Sequence, residues 1–221
     1  MNVLDNIPSP LGEGRVRASN YYWLLDAGHG GIDKQGNYTT APAKMFSWPD
    51  GLVIYEGVIN RLITHLVAKA LHDKEIDCGL VFDDVVDTPL QERVRIADNV
   101  FAKDSRAVYL SIHSNAGGGS GFEIFTSPGQ NKSDKLANIF CSTYIKHFPN
   151  FQFRSDKSDG DFDKEADFYV LRKTDCPALL VENLFFDNRK EAEYLLSSEG
   201  QQAIANCIVD SILMCELLKP I

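Results

Sequence analysis

The chain has 221 residues, of which 44% are hydrophobic, enough for one domain with a sizeable core. It contains 22 basic and 31 acidic residues, and the resulting net charge of −9 argues against nucleic acid as a partner. Phosphate binding needs a basic surface, which this composition does not favour. No apolar run approaches the roughly 18 residues of a membrane-spanning segment.

The first residues differ in character from the rest of the chain. Residues 1–20 contain Pro, Gly and Ser without hydrophobic periodicity, so we expect an extended arm ahead of one domain at 21–221. This segment lacks a basic stretch followed by an apolar one, so we expect no secretory signal peptide and synthesis in the cytoplasm. The five scattered cysteines contain no CxxC pair, which is typical of a reducing compartment.

From residue 21 onward, short apolar runs alternate with amphipathic segments. The apolar runs predict strands at 22–27, 77–82, 107–112, 121–126, 168–172 and 178–182. The amphipathic segments predict helices at 56–74, 88–103, 131–148, 188–196 and 198–217. This alternation predicts an α/β fold with a largely parallel sheet that is covered by helices on both faces.

The first chemistry-bearing residue follows the first strand. His29 lies in the segment LLDAGHGGID, where the surrounding glycines let the backbone turn sharply and approach a ligand closely. A glycine-rich turn that happens to contain a histidine explains this segment about as well when it is taken alone. Asp26, or backbone carbonyl groups, could orient the imidazole of His29.

Glu56 begins the best-defined helix. The apolar stripe of this helix includes Ile59 and Ile63, and Glu56 lies within roughly 20° of Ile63 around the helix axis. The carboxylate is therefore directed towards the buried face at the helix start. A buried charge is costly without a partner, and a metal ion would be such a partner.

His113 and Glu182 each end an apolar run that is predicted to be a strand, in the segments YLSIHSNA and ALLVENLFF. Open α/β sheets bind ligands at the carboxyl ends of their strands. Taken singly, His113 could be a hydrogen-bonded core histidine, and Glu182 could be a carboxylate in a surface loop. His29, Glu56, His113 and Glu182 together indicate a functional site far more specifically than any one of them does alone.

Two imidazoles and one carboxylate form a zinc site with three protein ligands and an open position. Hydrolysis at such a site needs a further carboxylate to handle the proton of a water molecule. The sequence therefore predicts a metallohydrolase. A glycosidase built on two carboxylates is the weaker alternative, because it leaves both histidines without a role.

At these residues the chain resembles the zinc-dependent N-acetylmuramoyl-L-alanine amidases, which are cell-wall enzymes. The matching segments cover roughly residues 21–217 and are LLDAGHGGID, EGVINRLI, LQERVRIADN, YLSIHSNA, GFEIF and PALLVENLFFDN. The resemblance implies Zn²⁺ on His29, Glu56 and His113, with Glu182 as the catalytic carboxylate. It also implies a single α/β domain with a mixed, mostly parallel sheet of about six strands, flanked by helices. The implied substrate is peptidoglycan, cut between N-acetylmuramic acid and L-alanine.

Two alternatives use the same residues, namely a zinc carboxypeptidase or other stem-peptide hydrolase and a muropeptide-binding module without turnover. The polar segments 36–53 and 149–167 are long enough to be lids or binding loops, and the first stretches the spacing between His29 and Glu56. With no expected signal peptide, the chain resembles a phage or prophage endolysin that acts on the wall after release. The sequence leaves the oligomeric state open.

Overall fold

A computed structural model of the chain describes residues 19–129, 131–158 and 160–218. The expected arm at 1–20 therefore lies almost entirely outside the described residues. The strands in the described part are β1 (Tyr22–Ala27), β2 (Met45–Ser47), β3 (Val53–Tyr55), β4 (Cys78–Leu80), β5 (Ala107–Asn115), β6 (Phe122–Thr126), β7 (Lys164–Glu165) and β8 (Ala178–Phe185). The helices are α1 (Glu56–Asp73), α2 (Leu90–Phe101), α3 (Ser133–His147), α4 (Tyr169–Lys173), α5 (Arg189–Leu196) and α6 (Ser198–Cys215).

The main sheet has six strands in the order β4-β1-β5-β8-β6-β7. Strand β1 runs parallel to β4 and β5, and β5 runs parallel to β8. Strand β6 is antiparallel to β8, while β7 is parallel to β6. The predicted mixed, mostly parallel sheet is thus confirmed. Strands β2 and β3 form a separate antiparallel hairpin that begins within the segment 36–53 and ends at Tyr55, just before α1.

Helices cover both faces of the sheet, as predicted. Helices α1, α3, α5 and α6 bury one face, and α2 and α4 bury the other. Successive residues of β1 alternate between the two layers, with Trp23 and Leu25 in the first and Tyr22 and Leu24 in the second. A strand that is buried on both faces has a continuous apolar sequence, which is why β1 was recognisable.

The strand predicted at 168–172 is wrong, because this segment forms the short helix α4. Adjacent Val170 and Leu171 are both buried, whereas Phe168 is exposed, so burial does not alternate as in a strand. A short apolar run cannot be assigned to strand or helix by periodicity alone. The sixth strand of the sheet is instead β7, which lies within the polar segment 149–167.

The strands that carry His113 and Glu182 are longer than predicted. Strand β5 continues beyond His113 to Asn115, and β8 continues beyond Glu182 to Phe185. Both residues therefore lie within strands rather than at their ends. Beyond Glu182, β8 is paired at Asn183 by Phe122 of the antiparallel β6 and at Phe185 by Asn115 of the parallel β5.

The expectations from composition can be compared with the described part of the chain. No helix there combines the length and the apolar character that crossing a membrane requires. The five cysteines are free thiols, and Cys207 and Cys215 are buried in the core, where they pack as small apolar side chains.

Candidate metal centre and active site

Three side chains from three different elements converge above the sheet. His29 follows β1, Glu56 is the first residue of α1, and His113 lies in β5. Glu56 Oε1 is 3.2 Å from His29 Nε2 and 3.0 Å from His113 Nδ1. One potential ligand atom from each residue lies within 4.8 Å of the others. The structure thus brings together the three residues that the resemblance implies as metal ligands.

The turn after β1 is shaped so that the two imidazoles can approach. A Cβ atom on Gly28 would lie 2.1 Å from His113 Cε1, so a larger residue would displace the imidazole. His29 itself has a φ of 66°, a left-handed conformation that non-glycine residues rarely adopt. Such backbone strain persists only where the surrounding structure enforces it.

Two buried arginines hold the backbone of His29 in this conformation. Arg61 Nη2 donates to the His29 carbonyl oxygen at 2.7 Å, and Arg93 Nη2 donates to the same oxygen at 3.0 Å. Arg61 also donates to the carbonyl oxygens of Asp83 and Asp84, at 2.7 and 3.0 Å. These bonds tie the loop that follows β4 to the loop that carries His29.

Asp26 acts on His29 indirectly. It forms a buried ion pair with Arg93 and accepts hydrogen bonds from Tyr109 at 2.6 Å and Ser111 at 2.8 Å. Burial opposes ionisation of Asp26, but Arg93 and these hydroxyl groups hold its pKa below the ordinary value. Asp26 therefore stabilises the arginine that fixes the His29 carbonyl group, instead of orienting the imidazole by direct contact as the sequence suggested.

Two buried polar atoms of the site make no hydrogen bond, namely His29 Nε2 and Glu56 Oε2. The first has only the 3.2 Å contact with Glu56 Oε1, and the second has only a 3.8 Å ion-pair contact with Lys44 Nζ. Buried polar groups without hydrogen bonds are costly. Burial lowers the pKa of His29 and so favours the neutral imidazole that a metal ligand must be. Burial opposes the charge on Glu56, but His113 and His29 hold the pKa of this carboxyl well below its ordinary value. His29, Glu56 and His113 could therefore hold a divalent metal ion.

Glu182 lies beside this cluster rather than in it. It is the register partner of His113 between β5 and β8, so the two side chains point to the same face of the sheet. Its Oε2 atom is buried without a hydrogen-bond partner. Burial raises the pKa of Glu182 well above its ordinary value, and the charge of Glu56 raises it further, while Lys44 opposes this shift.

Lys44 was not singled out in the sequence. Its Nζ atom lies 3.8 Å from Glu56 Oε2, and its carbonyl oxygen accepts the Glu56 N–H at 3.0 Å. Tyr38 of the same segment accepts the Gly57 N–H at 3.0 Å. The segment 36–53 therefore forms one wall of the site. A single lysine in a polar insertion offers no pattern from which this position could have been predicted.

Other positioning residues were also missed. Asn60 Nδ2 lies 3.4 Å from Glu56 Oε1, and Asn183 donates to the His113 carbonyl oxygen at 3.0 Å. Arg93 offered a usable signal, because an arginine on the buried face of an amphipathic helix must have a polar partner inside the protein. The asparagines offered none, because an asparagine within a helix or strand has no local sequence pattern that predicts its hydrogen-bond partner.

The fold and the site together are typical of a metallohydrolase with an α/β fold. Comparison with known proteins is in line with this class. Residues 24–214 match the sequence model of the family described as N-acetylmuramoyl-L-alanine amidase. The chain belongs to this family, and the resemblance seen in the sequence is confirmed.

Individual relatives are similar over most of the chain. The N-acetylmuramoyl-L-alanine amidase CwlM of Bacillus licheniformis is 32% identical over 184 residues, which cover 82% of this chain and 63% of the relative. The endolysin of Bacillus phage SPP1 is 29% identical over 80% of this chain and 59% of the endolysin. The chain thus spans less than two thirds of the length of these relatives.

A solved structure supports the same assignment. The N-acetylmuramoyl-L-alanine amidase AmiC2 of Nostoc punctiforme superimposes with a TM-score of 0.69 and 26% sequence identity. The match covers 89% of this chain and 97% of that protein. The fold is therefore that of a complete amidase domain in a solved relative.

Proposed function

We propose that the chain hydrolyses the amide bond between N-acetylmuramic acid and L-alanine in peptidoglycan, with a Zn²⁺ ion as cofactor. The observation that carries this proposal is the convergence of His29, Glu56 and His113 beside Glu182, with buried atoms that lack partners. Membership of the amidase family supports the choice of substrate. The residues 21–221 are proposed as the catalytic domain.

In this proposal His29, Glu56 and His113 bind the zinc ion. Two neutral imidazoles and one carboxylate are a donor set that zinc favours, and three protein ligands leave a position open. When bound, zinc would activate a water molecule and polarise the scissile carbonyl group. Arg61 and Arg93 contribute by holding the His29 backbone, so that its imidazole is placed before the metal arrives.

Glu182 is the proposed general base and acid. Burial and the charge of Glu56 raise the pKa of Glu182, which makes its carboxylate a stronger base towards the proton of a water molecule. Glu182 would accept the proton of the attacking water and return it to the amine of L-alanine as this group leaves. Its unpartnered Oε2 supports this role, because no hydrogen bond within the protein must be broken first.

The test is a digest of purified peptidoglycan with and without a chelator. New L-alanine amino termini without new reducing ends, lost on chelation and restored by Zn²⁺, are the expected result. New amino termini elsewhere in the stem would indicate a carboxypeptidase or another stem-peptide hydrolase. New reducing ends would indicate a glycosidase. Zinc binding without any products would favour a muropeptide-binding module.

A further inference from the structure

A row of three functional side chains crosses the sheet next to the proposed zinc site. His113 on β5 is the register partner of Glu182 on β8, which in turn is the partner of Glu123 on β6. Register partners project from the same face of a sheet. Because neighbouring strands lie about 4.8 Å apart, Glu123 is one strand farther from the metal centre than Glu182.

Glu123 fixes two cations that come from the segment 149–167. Its side chain is only 4% exposed, and Oε1 accepts hydrogen bonds from Arg154 Nε at 2.9 Å and Lys164 Nζ at 2.6 Å. The Asn115 amide donates to the other carboxylate oxygen. Burial opposes ionisation of Glu123, but Lys164 and Arg154 hold its pKa below the ordinary value. The carboxylate is therefore charged and orients both cations.

Aromatic rings support the same two cations. The Arg154 guanidinium lies 5.4 Å from the centroid of the Phe185 ring, and Lys164 Nζ lies 5.4 Å from that of Phe125. Cations held both by a carboxylate and by ring faces lose little further freedom when they bind an anion. This arrangement is preorganised.

Arg154 and Lys164 share the single carboxylate of Glu123, so this pair of cations is not fully neutralised by it. The side chains of Arg154 and Lys164 are 37% and 30% exposed, so both can still reach a ligand. Glu191 lies near Arg154, but it accepts the backbone N–H groups of Gly121 and Phe185 at 2.9 and 2.7 Å.

Among the described residues, Asp156 is a further carboxylate within electrostatic range of Lys164. It is exposed and accepts the Ser158 N–H at 3.0 Å. An exposed carboxylate is screened by water and salt, so it offsets the charge of the two cations only weakly.

We propose that Arg154 and Lys164, oriented by Glu123, form a subsite that binds a free carboxylate of the stem peptide just beyond the cleaved bond. This inference rests on the proposed amidase function. Where the residue that follows L-alanine in the stem is acidic, its free carboxyl group is ionised at neutral pH unless it is amidated. An extended chain advances at most about 3.6 Å per residue, so this group lies about one strand spacing beyond Glu182. The enzyme would therefore prefer walls with the ionised group.

The first test compares two disaccharide-pentapeptides that differ only in this group, carboxylate or carboxamide. With the zinc-loaded protein we expect kcat/KM to be about tenfold higher for the carboxylate, mainly through KM, because a charge-assisted contact is lost in the amide. The preference should shrink in high salt. Equal kcat/KM values for the two substrates would overturn the subsite.

Binding separates this inference from the proposed function. Calorimetry with the Glu182→Gln protein compares the affinities for the same two ligands without turnover. Tighter binding of the carboxylate ligand would support the subsite. If the wild-type protein cleaved neither ligand, the amidase function would be contradicted, but this binding preference would still support the subsite. Equal affinities would overturn the subsite while leaving cleavage of peptidoglycan untouched.

Variants of Lys164 and Arg154 test whether these residues cause the preference for the carboxylate substrate. Lys164→Met and Arg154→Gln should each bring the ratio of the two kcat/KM values towards one, and Lys164→Arg should retain it. Arg95→Gln is the matched control, because Arg95 pairs with Glu92 on the exposed face of α2 and should not alter the ratio. If Lys164→Met and Arg154→Gln lowered kcat/KM equally for both substrates, the two cations would only attach the segment 149–167 to Glu123. That result would refute the subsite.

Discussion

Two carboxylates near the centre of the sheet have opposite surroundings. Asp26 on β1 is paired with Arg93 and accepts hydrogen bonds from Tyr109 and Ser111. Glu182 on β8 has a buried oxygen without any hydrogen bond. The pKa of Asp26 is accordingly lowered, because its partners outweigh burial, whereas burial raises the pKa of Glu182. The first environment stabilises the charged carboxylate, whereas the second leaves a carboxylate oxygen without a hydrogen bond inside the protein.

A third carboxylate lies between these two cases. Asp163 accepts one hydrogen bond, from the Thr126 hydroxyl at 2.8 Å, while its other oxygen is buried without a partner. Burial raises the pKa of Asp163 to about 7. In these three carboxylates the direction of the pKa shift follows their neighbours, because a cation and hydroxyl donors surround Asp26, whereas other carboxylates lie near Asp163 and Glu182.

The largest expected effect comes from removing the charge of Glu182. Glu182→Gln should lower turnover of peptidoglycan by about 10²–10⁴-fold, since general acid–base catalysis contributes that much. Zinc content should stay at one ion per chain, and the denaturation midpoint should not fall, because no internal hydrogen bond is lost. Release of amino termini, metal analysis and urea denaturation measure the three quantities. Loss of zinc in this variant would make Glu182 a ligand instead.

At Asp26 we expect a substitution to lower the stability of the protein, unlike the substitution at Glu182. Asp26→Asn should destabilise the protein by about 3–5 kcal/mol, because Arg93 would remain buried without its counter-charge. Urea denaturation at pH 7 measures this loss. The matched control is Asp73→Asn, which removes an exposed ion pair with Lys69 and should hardly change the midpoint.

The pH dependence provides a second measurement at Asp26. Its folded pKa lies below the unfolded value of about 4, so its stabilisation is complete above that value and is lost as pH falls through the folded pKa. The gap in stability between the wild-type protein and Asp26→Asn should therefore narrow below about pH 4. A gap that stayed constant into strong acid would contradict the assigned role of the ion pair.

A smaller effect is expected when the support of His29 is weakened. Arg61→Lys should lower the affinity for zinc by about 10–100-fold, because an ammonium group cannot bond the carbonyl oxygens of His29, Asp83 and Asp84 together. Competition with a chromogenic chelator measures the affinity. Arg95→Lys on the exposed face of α2 serves as control. Unchanged zinc affinity in Arg61→Lys would show that the left-handed turn at His29 does not need this support.

The smallest expected effect concerns Asp163. Its folded pKa of about 7 lies above the unfolded value, so its contribution to stability is lost as pH rises from about 4 to about 7. Asp163→Asn removes this titration and should gain stability relative to the wild-type protein across that range. Urea midpoints at pH 4 and pH 7.5 measure the difference. Parallel pH profiles for the two proteins would show that Asp163 has more partners in solution than one hydroxyl group.

Local sequence signals were sufficient for much of the fold and for the four proposed site residues. The central strands are apolar on both faces, and α1 has a clear apolar stripe that starts at Glu56. His29, His113 and Glu182 were noticeable because polar residues beside buried strands need a partner or a function. These signals are carried by neighbouring residues, so they are visible before the chain folds.

The tertiary structure alone decided which residues meet. The segment 168–172 became a helix, and β8 extended past Glu182 because both β5 and β6 pair with it. Neither outcome can be read from the local sequence of these segments. Arg93 with Asp26 and Lys164 with Glu123 are partners across 67 and 41 residues of sequence. The sequence by itself therefore determined the layers and the chemistry of the site, whereas long-range hydrogen bonding decided which carboxylates are paired and which remain available.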